Sequence, residues 1–252
     1  MKNKIIYAYI LAAVLMTATA WGHAGEVSVA VAANFAGTMK DIAADFTKKT
    51  GHKVSWTPGA TGRFYAQITN GAPFDILLSA DDETPAKLEQ EGKTVIGSRF
   101  TYAVGRLVLW SPKQNFVDEV GNVLKGDNFN YLAIANAKVA PYGRAAVQTM
   151  QKLGVLNKLE PKIVQGENIA QTHQFVATGN AQLGFVALSQ VQENGKIKSG
   201  SAWIVPENLH DQLRQDAVLL NSGKNNPVAE EFLKYLKTDT VKKIIAGYGY
   251  SN

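Results

Sequence analysis

The sequence predicts an α/β protein built of two successive units, each a mostly parallel sheet flanked by helices. Three observations carry this. Short apolar, β-branched runs alternate with stretches of helical three- and four-residue spacing, the pattern of strands joined through helices. The segment Ala30-Val31-Ala32-Ala33-Asn34 is echoed later by Ala133-Ile134-Ala135-Asn136, each an apolar strand ending in small residues and Asn ahead of a helix. Two extended stretches, near residues 102–108 and 213–220, stand where a pair of crossings would join the units as a hinge.

The elements follow in order. Residues 27–34 read as a strand, and Phe35, Met39, Ile42, Ala43 and Phe46 then fall on one face of a helix. A strand that turns through Ala-Ala-Asn into a helix leaves backbone N–H groups free, an anion seat; the plainer reading makes Asn34 a helix cap. Gly51 sits where a helix-ending glycine belongs. Lys53 to Thr57 is a second strand, 58–62 a tight loop, and Arg63 to Asn70 a short helix burying Phe64, Tyr65 and Ile68. Phe74 to Ser79 is a third strand, and Asp81-Asp82-Glu83 lead a helix through Leu88, where acids suit the dipole. Leu107 to Trp110 enters the second unit, and 111–130 is polar and turn-rich. A strand at 132–136, a helix from Tyr142 to Leu153 with Val147, Met150 and Leu153 inward, and a strand at Ile163-Val164 follow. Next come a helix from Ile169 to Ala177 and a strand from Leu183 to Ala187. A strand from Ala217 to Leu220 and a helical region opened by Asn226-Pro227 complete the chain. The expected division is residues 25–104 with 217–252 in lobe 1, and 105–216 in lobe 2.

Composition bounds the setting. Of 252 residues, 46% are hydrophobic and 19% charged, which fits a globular chain with a substantial core. Lys2 and Lys4 precede the apolar run Ile5 to Met16, and small residues lead to Gly22-His23-Ala24. That is a secretory signal peptide over residues 1–24, and its apolar run is too short to span a bilayer comfortably. Its removal takes away two lysines and no acids, so the formal charge falls from +5 to +3. No Lys/Arg cluster is interleaved with aromatics, so no nucleic-acid partner is expected. With no cysteine, an exported chain is held by its core alone and has no lipid tether through an N-terminal Cys. A freely diffusing periplasmic protein fits best.

Catalytic signatures fail. There is no His-Glu-x-x-His, Gly-x-Ser-x-Gly or P-loop, and His52, His173 and His210 lack metal-ligand spacing and suit surface or helix-face positions. Asp81-Asp82 suits a helix cap better than a catalytic pair. Four turns offer more: Asn34, Thr61-Gly62, Pro141-Tyr142-Gly143 and Glu167-Asn168-Ile169 each follow a predicted strand and precede a predicted helix. Four such helix starts converging on one cleft would present many neutral donors and few charges. That suits a fully ionised small oxyanion, each donor to a charged acceptor being worth roughly 1.5–3 kcal/mol.

Seven motifs occurring in order give the chain a resemblance over about residues 26–248. They are Ala32-Ala33-Asn34-Phe35, Gly59-Ala60-Thr61-Gly62, Tyr65-Ala66-Gln67-Ile68, Asn70-Gly71-Ala72-Pro73, Ser79-Ala80-Asp81, Ala140-Pro141-Tyr142-Gly143 and Leu183 to Gln190. The chain resembles the periplasmic molybdate-binding proteins of molybdate ABC transporters. The resemblance implies a two-lobed periplasmic-binding-protein fold of type II, with two crossover strands as hinge, closing on molybdate or tungstate. It implies ligand contacts at Asn34, Thr61, Tyr142 and Ile169, the last two through backbone N–H, with Ala33 beside them. It also implies delivery to a membrane permease, no cofactor, no catalysis, no direct protein ligand to the molybdenum, and a monomer. The family's Tyr hydroxyl on the strand after Leu-Gly is replaced here by Ala187, so one donor is absent or supplied elsewhere. Arg63 and Arg144, just inside two of the helices, are either plain surface residues or a cleft mouth that steers anions.

Molybdate is unprotonated at neutral pH and needs donors only, whereas protonated phosphate also needs an acceptor. Glu167 is the one acid beside a proposed turn. The alternatives are a protein of the same build for chromate, sulfate or phosphate, and, in another class, a periplasmic α/β hydrolase.

Overall fold

A computed structural model describes residues 24–193 and 195–251. The signal peptide expected over 1–24 lies, except for Ala24, outside the described residues.

The first lobe opens with β1 (Glu26–Ala32), a single 3-10 turn (Ala33–Phe35) and α1 (Ala36–Thr50). It continues through β2 (Lys53–Gly59), α2 (Thr61–Thr69), β3 (Ile76–Leu78), α3 (Glu83–Gln90) and β4 (Phe100–Gly105). The second lobe begins with β5 (Leu107–Ser111), β6 (Leu132–Ala135), α4 (Pro141–Lys152), α5 (Leu156–Leu159), β7 (Ile163–Gly166) and α6 (Ile169–Ala177). It ends with β8 (Leu183–Ala187), α7 (Leu188–Val191), the hairpin β9 (Gln192–Glu193) and β10 (Lys196–Ile197), and β11 (Ser201–Ile204). The chain then returns through β12 (Leu213–Leu219), α8 (Pro227–Leu236) and α9 (Asp239–Gly247) to the first lobe.

The first sheet has the order β2-β1-β3-β12-β4, the second β11-β5-β8-β6-β7. Both are mixed. β1 runs parallel to β2 and β3, and β6 parallel to β7 and β8, while β12 pairs antiparallel with β3 and β4, and β5 antiparallel with β8 and β11. The reason is the double crossing: a chain that leaves a lobe on one strand and returns on its neighbour must run the other way. Leu213 already pairs with Gly105, so residues 213–216, expected in lobe 2, lie in the first sheet. The outward crossing is Arg106, and the return lies between Ile204 and Leu213.

Alternation along the strands explains the layers. Val27, Val29 and Val31 pack with Phe35, Met39, Ile42 and Phe46 of the first helical segment and with Phe232 and Leu236 of α8. Ala30, Leu77 and Val218 face the opposite side, against Phe64 and Ile68 of α2 and Leu88 of α3. The second sheet is likewise covered on both faces: Leu107, Leu109, Leu132, Ile134 and Phe185 lie towards α4, and Val108, Ala133 and Val186 towards Val176 of α6.

Some expectations shift. Asn34 is no cap, for α1 starts after Phe35 without a side-chain capping bond. The loop expected at 58–62 shrinks to Ala60, because pairing with β1 carries β2 to Gly59. In α4 the face on the sheet is Tyr142, Ala145, Ala146, Thr149 and Met150, with Val147 and Leu153 only partly buried; small residues let the helix sit close. The polar stretch 111–130 buries Val117, Leu124 and Phe129, and β11 follows where no strand was expected. His210 is buried rather than on the surface.

Candidate functional site

The parallel strands end level with one another in each lobe: Ala32 opposite Gly59, Ala135 opposite Gly166. Each of these four ends feeds a helix start, and the four starts meet between the lobes. They enclose a small cavity of about 10 Å³. Its lining is Ala32-Ala33-Asn34, Gly59-Ala60-Thr61, Ala80, Ala140-Pro141-Tyr142 and Asn168-Ile169. No charged side chain is in that lining. Asn34, Thr61, Tyr142, Ile169 and Ala33, singled out from sequence, are therefore brought together. Ala187 is buried and does not line the cavity.

A helix leaves its first N–H groups without partners in its own backbone, and here most are claimed by neighbours except the one at the cavity. In α2, Gly62 N–H donates to Val139 O of the other lobe at 2.9 Å, and Arg63 and Phe64 donate to Ala60 O. In α4, Pro141 has no N–H, and Gly143 and Arg144 donate to Ala140 O. In α6, Asn168 Oδ1 accepts from Ala170 and Gln171, and Thr172 N–H donates to Asn168 O. Among the groups left without a partner at the cavity are the N–H of Thr61, Tyr142 and Ile169, and those of Ala33 and Asn34 in the first turn. Each such group carries the positive end of a helix dipole behind it.

Thr61 adds a hydroxyl. Its Oγ1 accepts from Ala80 N at 3.0 Å, while the nearby Ser79 hydroxyl gives its proton to Asp81 Oδ1 at 2.9 Å. The Thr61 proton is thus left to donate, and the amide behind it polarises the bond. Asp81, not Asp82, caps α3, accepting from Thr84 N at 3.0 Å.

Asn34 is fully enclosed on one side. Its Nδ2 lies 3.0 Å from Gln215 Oε1 and 3.0 Å from Tyr250 Oη, and its backbone carbonyl oxygen accepts from Tyr250 Oη and Ser189 Oγ at 2.9 Å each. Gln215, Tyr102 and Tyr250 form a buried polar layer behind the cavity that reaches Tyr142 and Ser189 of the second lobe. Burial pushes the hydroxyls of Tyr102, Tyr142 and Tyr250 well above their ordinary range, so all three stay protonated and neutral. Sequence reasoning missed this layer. Its one visible trace was the polar run Arg214-Gln215-Asp216 opening an otherwise apolar strand at the return crossing.

The arginines sit at the rim. Arg63 pairs with Glu167 across the lobes, both side chains more than half exposed. Arg144 pairs with Asp81 and Glu83, also across the lobes, at 3.2 Å each. Glu167 is therefore turned away from the cavity and supplies it with no acceptor. Among the described residues no three His, Asp or Glu side chains converge as a metal site.

Two lobes joined by two crossings, with helix starts aimed at a small cavity between them, define a solute-binding protein of the lobe-closing kind. The model of a family described as bacterial extracellular solute-binding protein matches residues 27–251. A protein of Azotobacter vinelandii named molybdate-binding protein ModA is 60% identical over 227 residues, 90% of this chain and 90% of its own length. Its counterpart in Rhodobacter capsulatus is 54% identical over 227 residues, 90% of this chain and 88% of that one. The solved periplasmic molybdate-binding protein of Azotobacter vinelandii superposes with a TM-score of 0.87 at 43% identity, covering 90% of this chain and 99% of that one. The sulfate-binding protein SubI of Mycobacterium tuberculosis H37Rv, at 12% identity, TM-score 0.73 and coverage of 90% and 86%, shares the fold. The chain belongs to the bacterial extracellular solute-binding proteins and, within them, to the molybdate-binding protein family.

Proposed function

We propose that this protein binds molybdate, and tungstate with it, in the periplasm and hands it to the permease of an ABC transporter, as a monomer and without cofactor or catalysis. The observation that carries the reading is the cavity itself: four converging helix starts, unclaimed N–H groups at Asn34, Thr61, Tyr142 and Ile169, one free hydroxyl proton at Thr61, and no charged side chain in the lining.

The mechanism follows from the charge state of the ligand. A tetrahedral dianion accepts at every oxygen and donates at none, so a wall of donors satisfies it completely. In a site shielded from water each hydrogen bond to the charge is strong, and the neutral donors bring no counter-charge that would have to be stripped of water when the cleft closes. Ligand oxygens that bond α2 on one side and α4 and α6 on the other tie the lobes together, so binding and closure are one event. The closed lobe pair is then the surface a permease reads. Among the described residues no helix is long and apolar enough to cross a membrane. Arg63 and Arg144 act at the mouth as steering charges whenever the lobes part and their ion pairs open.

Calorimetric titration with molybdate, tungstate, sulfate, phosphate and chromate tests the reading. The expected result is tight binding of the first two and none, or far weaker binding, of phosphate, whose proton finds no acceptor. Preference for sulfate over molybdate would overturn it in favour of a sulfate-binding relative of the same fold.

A further inference from the structure

We propose that Gln215 is a positioning residue: it decides which end of the Asn34 side-chain amide faces the ligand, and it turns the nitrogen inward. The inference rests on the molybdate-binding reading above and concerns a residue that does not line the cavity.

The nitrogen and oxygen ends of an amide have the same shape, so the count of protons decides which end belongs where. Consider first the arrangement in which Gln215 Oε1 receives Asn34 Nδ2 at 3.0 Å and Tyr102 Oη at 3.1 Å, while Gln215 Nε2 donates to Tyr142 Oη at 3.3 Å. Tyr102 has one hydroxyl proton, and Ser79 O at 2.9 Å also requires it. Tyr142 Oη faces only the donor Nε2, so its own proton has no acceptor although the side chain is buried. The Asn34 carbonyl oxygen Oδ1, the end with no protein partner, is then the end left for the cavity that Asn34 lines, where it would repel an anion.

Exchanging the ends of both amides removes the conflicts at Tyr102 and Tyr142, and gives up only the bond of Tyr250 to the Asn34 backbone oxygen, 2.9 Å away, which Ser189 still serves. Tyr102 gives its proton to Ser79 O, and Tyr142 gives its proton to Gln215 Oε1. Gln215 Nε2 spends its two protons on Tyr102 Oη and Asn34 Oδ1. Tyr250 donates to the same Asn34 Oδ1, and Ser189 keeps its bond to the Asn34 backbone oxygen. Neither exchange stands alone, because turning only one amide sets nitrogen against nitrogen or oxygen against oxygen. The outcome is an Asn34 Nδ2 with both protons free towards the cavity, a further donor to the ion. Gly105 holds Gln215 in this place: a Cβ there would strike Tyr142 Oη and stand 2.5 Å from Gln215 Nε2.

Two measurements test this. In the ligand-free wild-type protein, NOEs from the Gln215 side-chain NH2 are expected to be stronger to the Tyr102 ring than to the Tyr142 ring; the reverse pattern overturns the proposal. In calorimetry with sodium molybdate, Gln215→Met is expected to raise Kd about ten-fold in the wild-type background and less than about two-fold beside Asn34→Ala, because its effect passes through Asn34. An equal loss in both backgrounds, or no loss in the first, overturns it. A wild-type protein that gives no heat with molybdate refutes the functional reading instead, and the NOE pattern still decides the amide orientation.

Discussion

At the floor of the cleft Thr61, Tyr142 and Ile169 present uncharged donors, whereas two residues further along two of the same helices Arg63 and Arg144 are bound to carboxylates of the opposite lobe. Helix geometry sets the difference. Each residue turns the helix by about 100°, so a side chain two positions on points to nearly the opposite side. The backbone at the helix start faces the ligand and the arginine faces the rim. An exposed pair such as Arg63–Glu167 is screened by water and salt and contributes about 0–1 kcal/mol, while a neutral donor to a buried charge contributes more. Charge alone is a poor guide to where an anion sits.

Changes at the floor and at the rim should therefore differ in size. The largest loss is expected from Thr61→Val, which keeps the shape, removes the free proton and leaves Ala80 N–H without its acceptor: roughly 1–3 kcal/mol of molybdate affinity by calorimetry. An unchanged Kd would take Thr61 out of the site. Gly62→Ala comes next. Its Cβ would stand 3.0 Å from Val139 Cα of the other lobe, so closure is overpacked and affinity falls by about 1 kcal/mol, mainly through faster release in stopped-flow. Release at the wild-type rate would mean that the lobes do not meet here in the bound state.

The rim comes third. Arg63→Ala and Arg144→Ala should each cost roughly 0.2–1 kcal/mol, with a slower, less salt-sensitive on-rate. A loss as large as that of Thr61→Val would show an arginine gripping the ion, and an unchanged on-rate and salt dependence would end the steering idea. The smallest effect is that of pH near neutrality. Tyr102, Tyr142 and Tyr250 are held above their ordinary value of 10.0, mainly by burial, so the fold prefers them protonated. Below that value folded and unfolded chains are equally protonated at these groups; above it the unfolded chain ionises first and stability is lost. Urea midpoints should thus show no tyrosine contribution up to about pH 9 and fall once pH passes 10.

Much of this was legible in the residues. The runs at 169–177 and 183–187 match α6 and β8 residue for residue, because strong periodicity and a capping Asn168 fix such elements locally. Gly51 closes α1 at a φ of 76°, a conformation glycine adopts without strain. β11 was hidden because four residues of ordinary hydropathy become a strand only when Leu109 and Trp110 of β5 offer an edge to pair with. The echo between Asn34 and Asn136 also misled in part. Asn136 closes a turn through its own Oδ1 and its carbonyl, and Tyr142, further on, supplies the donor at the cavity.

The order of the main strands and helices around the site, the four small-residue turns and the neutral character of the site follow from the sequence alone, because propensity, periodicity and turn chemistry act over a few neighbours. The layer of Gln215, Tyr102 and Tyr250 behind Asn34, and the pairing of each rim arginine with the opposite lobe, were decided only by the tertiary structure. Those contacts join residues as many as 216 positions apart in the chain, and hydrogen bonds and ion pairs of that range have no local signature: they exist only once both sheets have formed and the crossings have brought their ends together.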